Sequence, residues 1–134
     1  MKSLIVKSRE CGENSAHATF YRITKNGKRV GCKVWEFKHK ATVNSRRQKK
    51  AHAGKVGPAV LSEIMLIKDK HDKHIGYGFL TELALLRKDY SCDKEEKLQA
   101  EFKKVFGFEH CDFHDGNVGY IKGKLVFIDF DPME

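Results

Sequence analysis

The sequence predicts an α+β fold: a five-stranded antiparallel sheet with one inserted helix, then a helix, a polar loop and a β-hairpin. Three observations predict it. Asn26-Gly27 stands between two strand-like runs, and both residues tolerate the positive φ that a two-residue hairpin turn requires. Leu98, Phe102, Val105 and Phe106 recur at helical spacing behind an acidic start. Two short apolar runs, Val118–Ile121 and Lys124–Asp129, flank Gly123 near the C-terminal end.

Leu4–Arg9 reads as a first strand, followed by a polar turn, Glu10–Ser15, around Gly12. Ala18–Thr24 and Arg29–Phe37 read as the next two, so the first third is expected to be an antiparallel meander. Residues 38–55 carry seven Lys/Arg and no Asp/Glu, and Thr42–Ala53 reads as a basic helix ended by Gly54, Gly57 and Pro58. Val60–Ile67 and Ile75–Leu86 read as two strands around the charged turn Lys68–His74. Asp93-Lys94-Glu95-Glu96 fits a capping box with Asp93 as the N-cap, opening a helix over 93–106.

A chain of 134 residues with 40% hydrophobic side chains has single-domain length and enough apolar material for a core. A formal charge of +8 favours anionic partners such as nucleotide phosphates, nucleic acid or an acidic protein surface. Cys11, Cys32, Cys92 and Cys111 form no C-x-x-C pair, and Met1–Glu10 is a mixed, charged stretch unlike a signal peptide. The apolar runs Ala84–Leu86 and Leu125–Ile128 are too short to span a bilayer. The expected setting is therefore a reducing cytoplasm with free thiols and no membrane.

The chemistry concentrates in His110-Cys-Asp-Phe-His-Asp-Gly-Asn117 and in Val126-Phe-Ile-Asp-Phe-Asp131. Phosphoryl transfer needs oxygen ligands converging on Mg²⁺ and a carboxylate that orients the attacking hydroxyl and accepts its proton. Asp112 and Asn117 provide a base and an amide oxygen on one loop, and the hairpin is expected to return Asp129 beside Asn117. Taken singly, each of these residues suits an ordinary solvated loop or turn; their joint spacing points to the site.

The segment resembles the H-x-D-x-x-x-x-N catalytic loop and the following D-F metal motif of the protein-kinase-like superfamily. Its D-x-H-x-x-N form with Ile-Asp-Phe-Asp is closer to small-molecule and atypical kinases, and it also resembles the short serine/threonine kinases of some bacteriophages. The resemblance implies an ATP- and Mg²⁺-dependent kinase, with Asp112 as catalytic base, Asn117 and Asp129 as Mg²⁺ ligands, and His110 supporting the loop. Val30-Gly-Cys-Lys-Val34 resembles V-A-I-K, which implies that Lys33 contacts the nucleotide phosphates. Gly12–Tyr21 occupies the place of the glycine-rich loop with one glycine instead of three and resembles the reduced loops of atypical kinases, which implies that backbone N–H groups at Gly12 and the Ser15 hydroxyl cradle phosphate. Thr81-Glu82-Leu83-Ala84 resembles the hinge, with Glu82 and Ala84 the residues whose backbone would meet adenine. The fold implied is a truncated kinase domain, with an N-lobe and hinge over 1–86 and a minimal C-lobe over 87–134.

Two departures shape the expectations. The helix has no glutamate to pair with Lys33, leaving Asn44, Gln48, Glu36 and Glu63 as open candidates. The sequence given also ends at Glu134, without the activation segment or the helical bulk of a larger C-lobe. Leu98, Phe102, Val105, Phe106 and Phe108 are therefore expected to lack part of their usual cover, which a homodimer or a target protein would supply. Besides a protein substrate, the alternatives are a non-catalytic kinase-like binding module and nucleic-acid binding through Arg46, Arg47, Lys49 and Lys50. A phosphohydrolase using His71 or His74 with His114, Asp115 and Asp129, and zinc on Cys111, His110 and His114, complete the set.

Overall fold

The computed structural model describes residues 1–7, 18–86 and 89–130. It is an α+β chain with β1 (Ser3–Ile5), β2 (Thr19–Lys25), β3 (Lys28–Trp35), α1 (Lys38–Ala53), β4 (Met65–Lys68) and β5 (His74–Thr81), followed by α2 (Cys92–Phe106), β6 (Val118–Ile121) and β7 (Lys124–Phe127). The five-stranded sheet runs β1-β4-β5-β3-β2, and β6 with β7 forms a separate hairpin. No helix among the described residues is long and apolar enough to cross a membrane.

The hairpins form where turn chemistry demands them. Asn26 and Gly27 take φ of 53° and 76°, and Lys122 and Gly123 take 49° and 81°. Such paired left-handed residues match the twist of the flanking strands. β3 alternates strictly: Val30, Cys32 and Val34 pack with Val6, Met65, Ile67 and Leu80, while Trp35 packs with Ala41 and Phe79. Burial pushes the Cys32 thiol up to about 12, which leaves it protonated and inert.

The expected antiparallel meander is corrected at β1, which pairs parallel with β4 in the register Ser3↔Leu66 and Ile5↔Lys68. The chain between β1 and β4, which includes β2, β3 and α1, is ample for a parallel crossover, and the pairing buries Val6 against Met65 and Ile67. The strand expected over Val60–Ile67 shrinks to Met65–Lys68, with Val60 making one isolated bridge to Thr81. Ser62 is the cause: its Oγ accepts the Leu80 N–H at 2.8 Å, where a ladder carbonyl would otherwise sit. Likewise β5 ends at Thr81, and Leu85 exchanges both backbone bonds with Tyr120.

α1 begins at Lys38, four residues before the expected Thr42, because Lys40 and Ala41 N–H groups already find the Phe37 carbonyl. Burial of Ala41 outweighs three basic side chains at a positive helix end. For α2 the N-cap is Ser91, not Asp93; Ser91 Oγ accepts the Lys94 N–H at 3.3 Å. Asp93 and Glu95 instead lie in the first turn, where negative charge complements the helix dipole.

The chain divides into two units, Met1–Arg46 with Val60–Leu83, and Arg47–Ala59 with Ala84–Glu134. The second unit has its own core of Ala51, Val56, Leu98, Phe102, Val118, Leu125, Phe127 and Phe130. Leu98 and Phe102 are fully buried there, and Val105, Phe106 and Phe108 pack against this core while remaining partly exposed.

Candidate functional site

α2 places the loop that follows it. Gly107, with φ of 86°, ends the helix by donating to the Lys103 carbonyl. Gln99 then grips residue 110 from both sides: its Oε1 accepts the His110 N–H and its Nε2 donates to the His110 carbonyl, each at 2.9 Å. A side-chain amide thus takes the place of a neighbouring strand.

The His110 imidazole lies almost parallel to Phe127, 4.3 Å between centroids, with the edge of Phe102 at 5.1 Å. Its Nδ1 accepts the Asp112 N–H at 3.1 Å, so the ring proton is on Nε2, which donates to the Asp129 carbonyl at 2.8 Å. One neutral ring therefore ties the backbone of Asp112 to that of Asp129. Burial holds the His110 pKa below the ordinary histidine value, against the Asp129 carbonyl and the charges of Asp129 and Asp112, which favour protonation.

This shift has a sign that can be tested. The unfolded chain takes up a proton near pH 6.5, whereas folded His110 resists it. Its stabilising effect is complete above about pH 6.5 and is lost as pH falls toward the lower folded value. Urea midpoints measured from pH 7.5 to 5 are expected to fall more steeply in the native chain than in His110→Gln. Equal slopes would remove His110 from the acid response.

Asn117 is held at three points. Its N–H donates to the His114 carbonyl, its carbonyl accepts the Ile128 N–H, and its Nδ2 donates to the Asp112 carbonyl at 2.6 Å. Only the nitrogen of the amide can serve a carbonyl, which fixes the flip. The other end, Oδ1, is buried with no hydrogen-bond donor. Such an orphan acceptor costs about 1–3 kcal/mol, and native structures keep few of them.

The Asp112 side chain is 47% exposed, with Oδ2 3.3 Å from His114 Nε2. The loop and hairpin thus bring together Asp112, Asn117 and the backbone of Asp129. Lys33 and Glu82 belong to the first unit and Ala84 to the second. Lys33 lies in β3 opposite Phe20 of β2 and Phe79 of β5, and Gly78 lets β5 close on its carbonyl, where a Cβ would collide. Glu82 accepts the Thr81 hydroxyl at its carbonyl, and Ala84 packs where a Cβ on Gly119 would meet it. Gly12 and Ser15 lie outside the described residues.

The candidates for pairing with Lys33 have identifiable surroundings. Asn44 donates to the Lys40 carbonyl, Gln48 to the Pro58 carbonyl at 3.1 Å, and Glu36 and Glu63 are exposed. Of the basic face considered for nucleic acid, Arg47 donates to the Phe130 carbonyl at 2.9 Å, and Lys50 sits over the Phe106 ring. Both ring nitrogens of His110 are engaged by backbone, which removes it from the zinc grouping. Among the described residues no three His, Cys, Asp or Glu side chains are grouped to hold a metal ion.

Sequence reasoning missed Gln99, Arg47 as an anchor of Phe130, and the contact of His114 with Asp112. Only the last had a signal, the two-residue spacing of Asp112 and His114 on one loop. No protein-family model and no curated protein matches the chain, so its function is read from these residues and their geometry.

Proposed function

We propose that the chain is an ATP- and Mg²⁺-dependent phosphotransferase acting on serine or threonine hydroxyls of proteins. The observation that carries this reading is the orphaned Asn117 Oδ1. Its amide nitrogen is committed to the Asp112 carbonyl, so the oxygen keeps its lone pairs for a cation. A hard oxygen of this kind suits Mg²⁺, which takes one or two protein ligands and completes its shell with water and phosphate oxygens. Asn117 Oδ1 and the Asp129 carboxylate would hold it, and when bound it neutralises the charge of the triphosphate.

Asp112 is the proposed base. Its carbonyl and N–H are held by Asn117 and His110, which fixes the backbone while leaving the carboxylate about half exposed. A hydroxyl carried by another protein can reach a carboxylate so placed, be oriented by it and give up its proton there. Lys33 is proposed as a phosphate contact, Glu82 and Ala84 as adenine contacts, and Gly12 with Ser15 as the phosphate loop. These five rest on the sequence resemblance.

Isothermal titration tests the reading. MgATP is expected to bind the native chain, and ATP without Mg²⁺ to bind more weakly. Asp129→Ala should weaken MgATP binding by about tenfold or more, equivalent to about 1.4 kcal/mol, with an unchanged circular dichroism spectrum. Unchanged affinity would remove Asp129 from the site. MgATP binding without transfer to any protein hydroxyl would favour the non-catalytic module.

A further inference from the structure

The loop also contains a second histidine, which the proposed chemistry leaves unused. The His114 backbone is extended (φ −153°, ψ 168°) and its side chain caps the short 3₁₀ turn Asp115–Asn117. Nδ1 accepts the Gly116 N–H at 3.0 Å, so in the neutral ring the proton lies on Nε2. Nε2 is the atom 3.3 Å from Asp112 Oδ2. The His114 carbonyl accepts the Asn117 N–H at 2.9 Å, which holds the residue in place from its other end.

We infer that His114 is a positioning residue for Asp112: Gly116 fixes its tautomer, and its Nε2–H occupies Oδ2, leaving Oδ1 to receive the acceptor hydroxyl. The catalytic part of this inference rests on the reading of Asp112 as the base. A half-exposed aspartate samples several rotamers, and each wrong one presents the carboxylate away from the incoming hydroxyl. A donor on one oxygen selects among them without taking the proton-accepting lone pairs of the other. Because Nδ1 already accepts a backbone N–H, the imidazole cannot turn its Nδ1 edge toward Asp112 without uncapping the 3₁₀ turn. The turn that presents Asn117 and the rotamer of Asp112 are thereby set by opposite edges of one ring.

The two edges can be separated by substitution. Asparagine places an acceptor near the position of Nδ1 and nothing at Nε2; glutamine places an N–H₂ donor near Nε2 and no acceptor at Nδ1. The experiment measures kcat and KM for MgATP, with casein and the chain itself as acceptors, in the native protein, His114→Asn and His114→Gln. Nitrogen-15 NMR reads the His114 tautomer in the native protein. The expected result is a fall in kcat of about tenfold to a hundredfold in His114→Asn, little change in KM for MgATP, and recovery of kcat toward the native value in His114→Gln.

The NMR arm should show a protonated Nε2 and an unprotonated Nδ1. A role confined to capping predicts the reverse order, with His114→Asn native-like and His114→Gln impaired, and that order overturns the inference. So does a protonated Nδ1 in the neutral ring, or equal kcat in all three proteins. A native protein that transfers no phosphate to either acceptor overturns the kinase reading itself, and the catalytic role of His114 with it. The tautomer is read without turnover, so failure of the geometry and failure of the kinase reading give different results.

Discussion

Asp112→Asn is expected to lower phosphoryl transfer by about 10²–10⁴-fold, the usual contribution of a positioned general base, while leaving nucleotide affinity and fold intact. The substitution is nearly isosteric. The bonds that hold this residue use its backbone: the N–H to His110 Nδ1 and the carbonyl to Asn117 Nδ2. Neither depends on the side-chain charge. The amide oxygen can still receive the His114 N–H, which leaves an NH₂ group facing the acceptor hydroxyl. That group neither accepts the proton nor tolerates the hydroxyl hydrogen. Incorporation of γ-phosphate radiolabel checks the loss, and titration calorimetry checks that MgATP still binds. Equal labelling in variant and native chain would show that Asp112 is not the base.

Phe102→Ala is expected to destabilise the second unit by about 3–5 kcal/mol, the range for removing a buried aromatic ring. Phe102 is fully buried, and its ring lies 4.5 Å from Phe106 and 5.1 Å from both His110 and Phe127, centroid to centroid. Its removal opens a cavity against the histidine that joins Asp112 to Asp129. Total stabilities of natural domains run to about 5–15 kcal/mol, so the variant should lie near its unfolding threshold. Urea denaturation measures the effect. Phe37→Ala is the control, since that ring is 55% exposed and its loss should cost little. A Phe102→Ala midpoint close to the native one would mean that the second core collapses around the missing ring.

What was legible in the sequence is what local physics decides. Asn26-Gly27 announces a turn because few other residues accept consecutive positive φ, and Leu98, Phe102, Val105 and Phe106 announce a helix because their faces coincide. α1 was only half legible. Its buried stripe consists of Ala41, Asn44, Ser45, Gln48 and Ala51, small or polar side chains that leave hardly any apolar period. The partner of β1 was illegible, since three residues in an edge strand carry no mark of the distant Leu66 and Ile67. Ser91 and Asp93 are both good caps, and the backbone alone chose between them.

At the site, the spacing of Asp112 and Asn117 could be read directly. The orphaned oxygen of Asn117 and the grip of Gln99 could not, because each depends on which atoms fold against one another. The spacing of Asp112 and His114 was visible too, but the direction of the imidazole was not.

The division of the chain into units has a consequence for synthesis on the ribosome. Each unit is built from two separated stretches, and the stretch Arg47–Ala59 of the second emerges between the two stretches of the first. Translation proceeds at about 5–20 residues per second, so Ala51 and Val56 wait several seconds for Phe127 and Phe130. During that interval neither residue has its final neighbours, and the nascent second unit cannot close. Only the order of segments sets the delay. A circular permutant that joins the present ends and opens the chain at the Asp69–Lys73 turn would reverse the order, so that Phe127 and Phe130 emerge first and wait for Ala51 and Val56 while Met1–Arg46 is made.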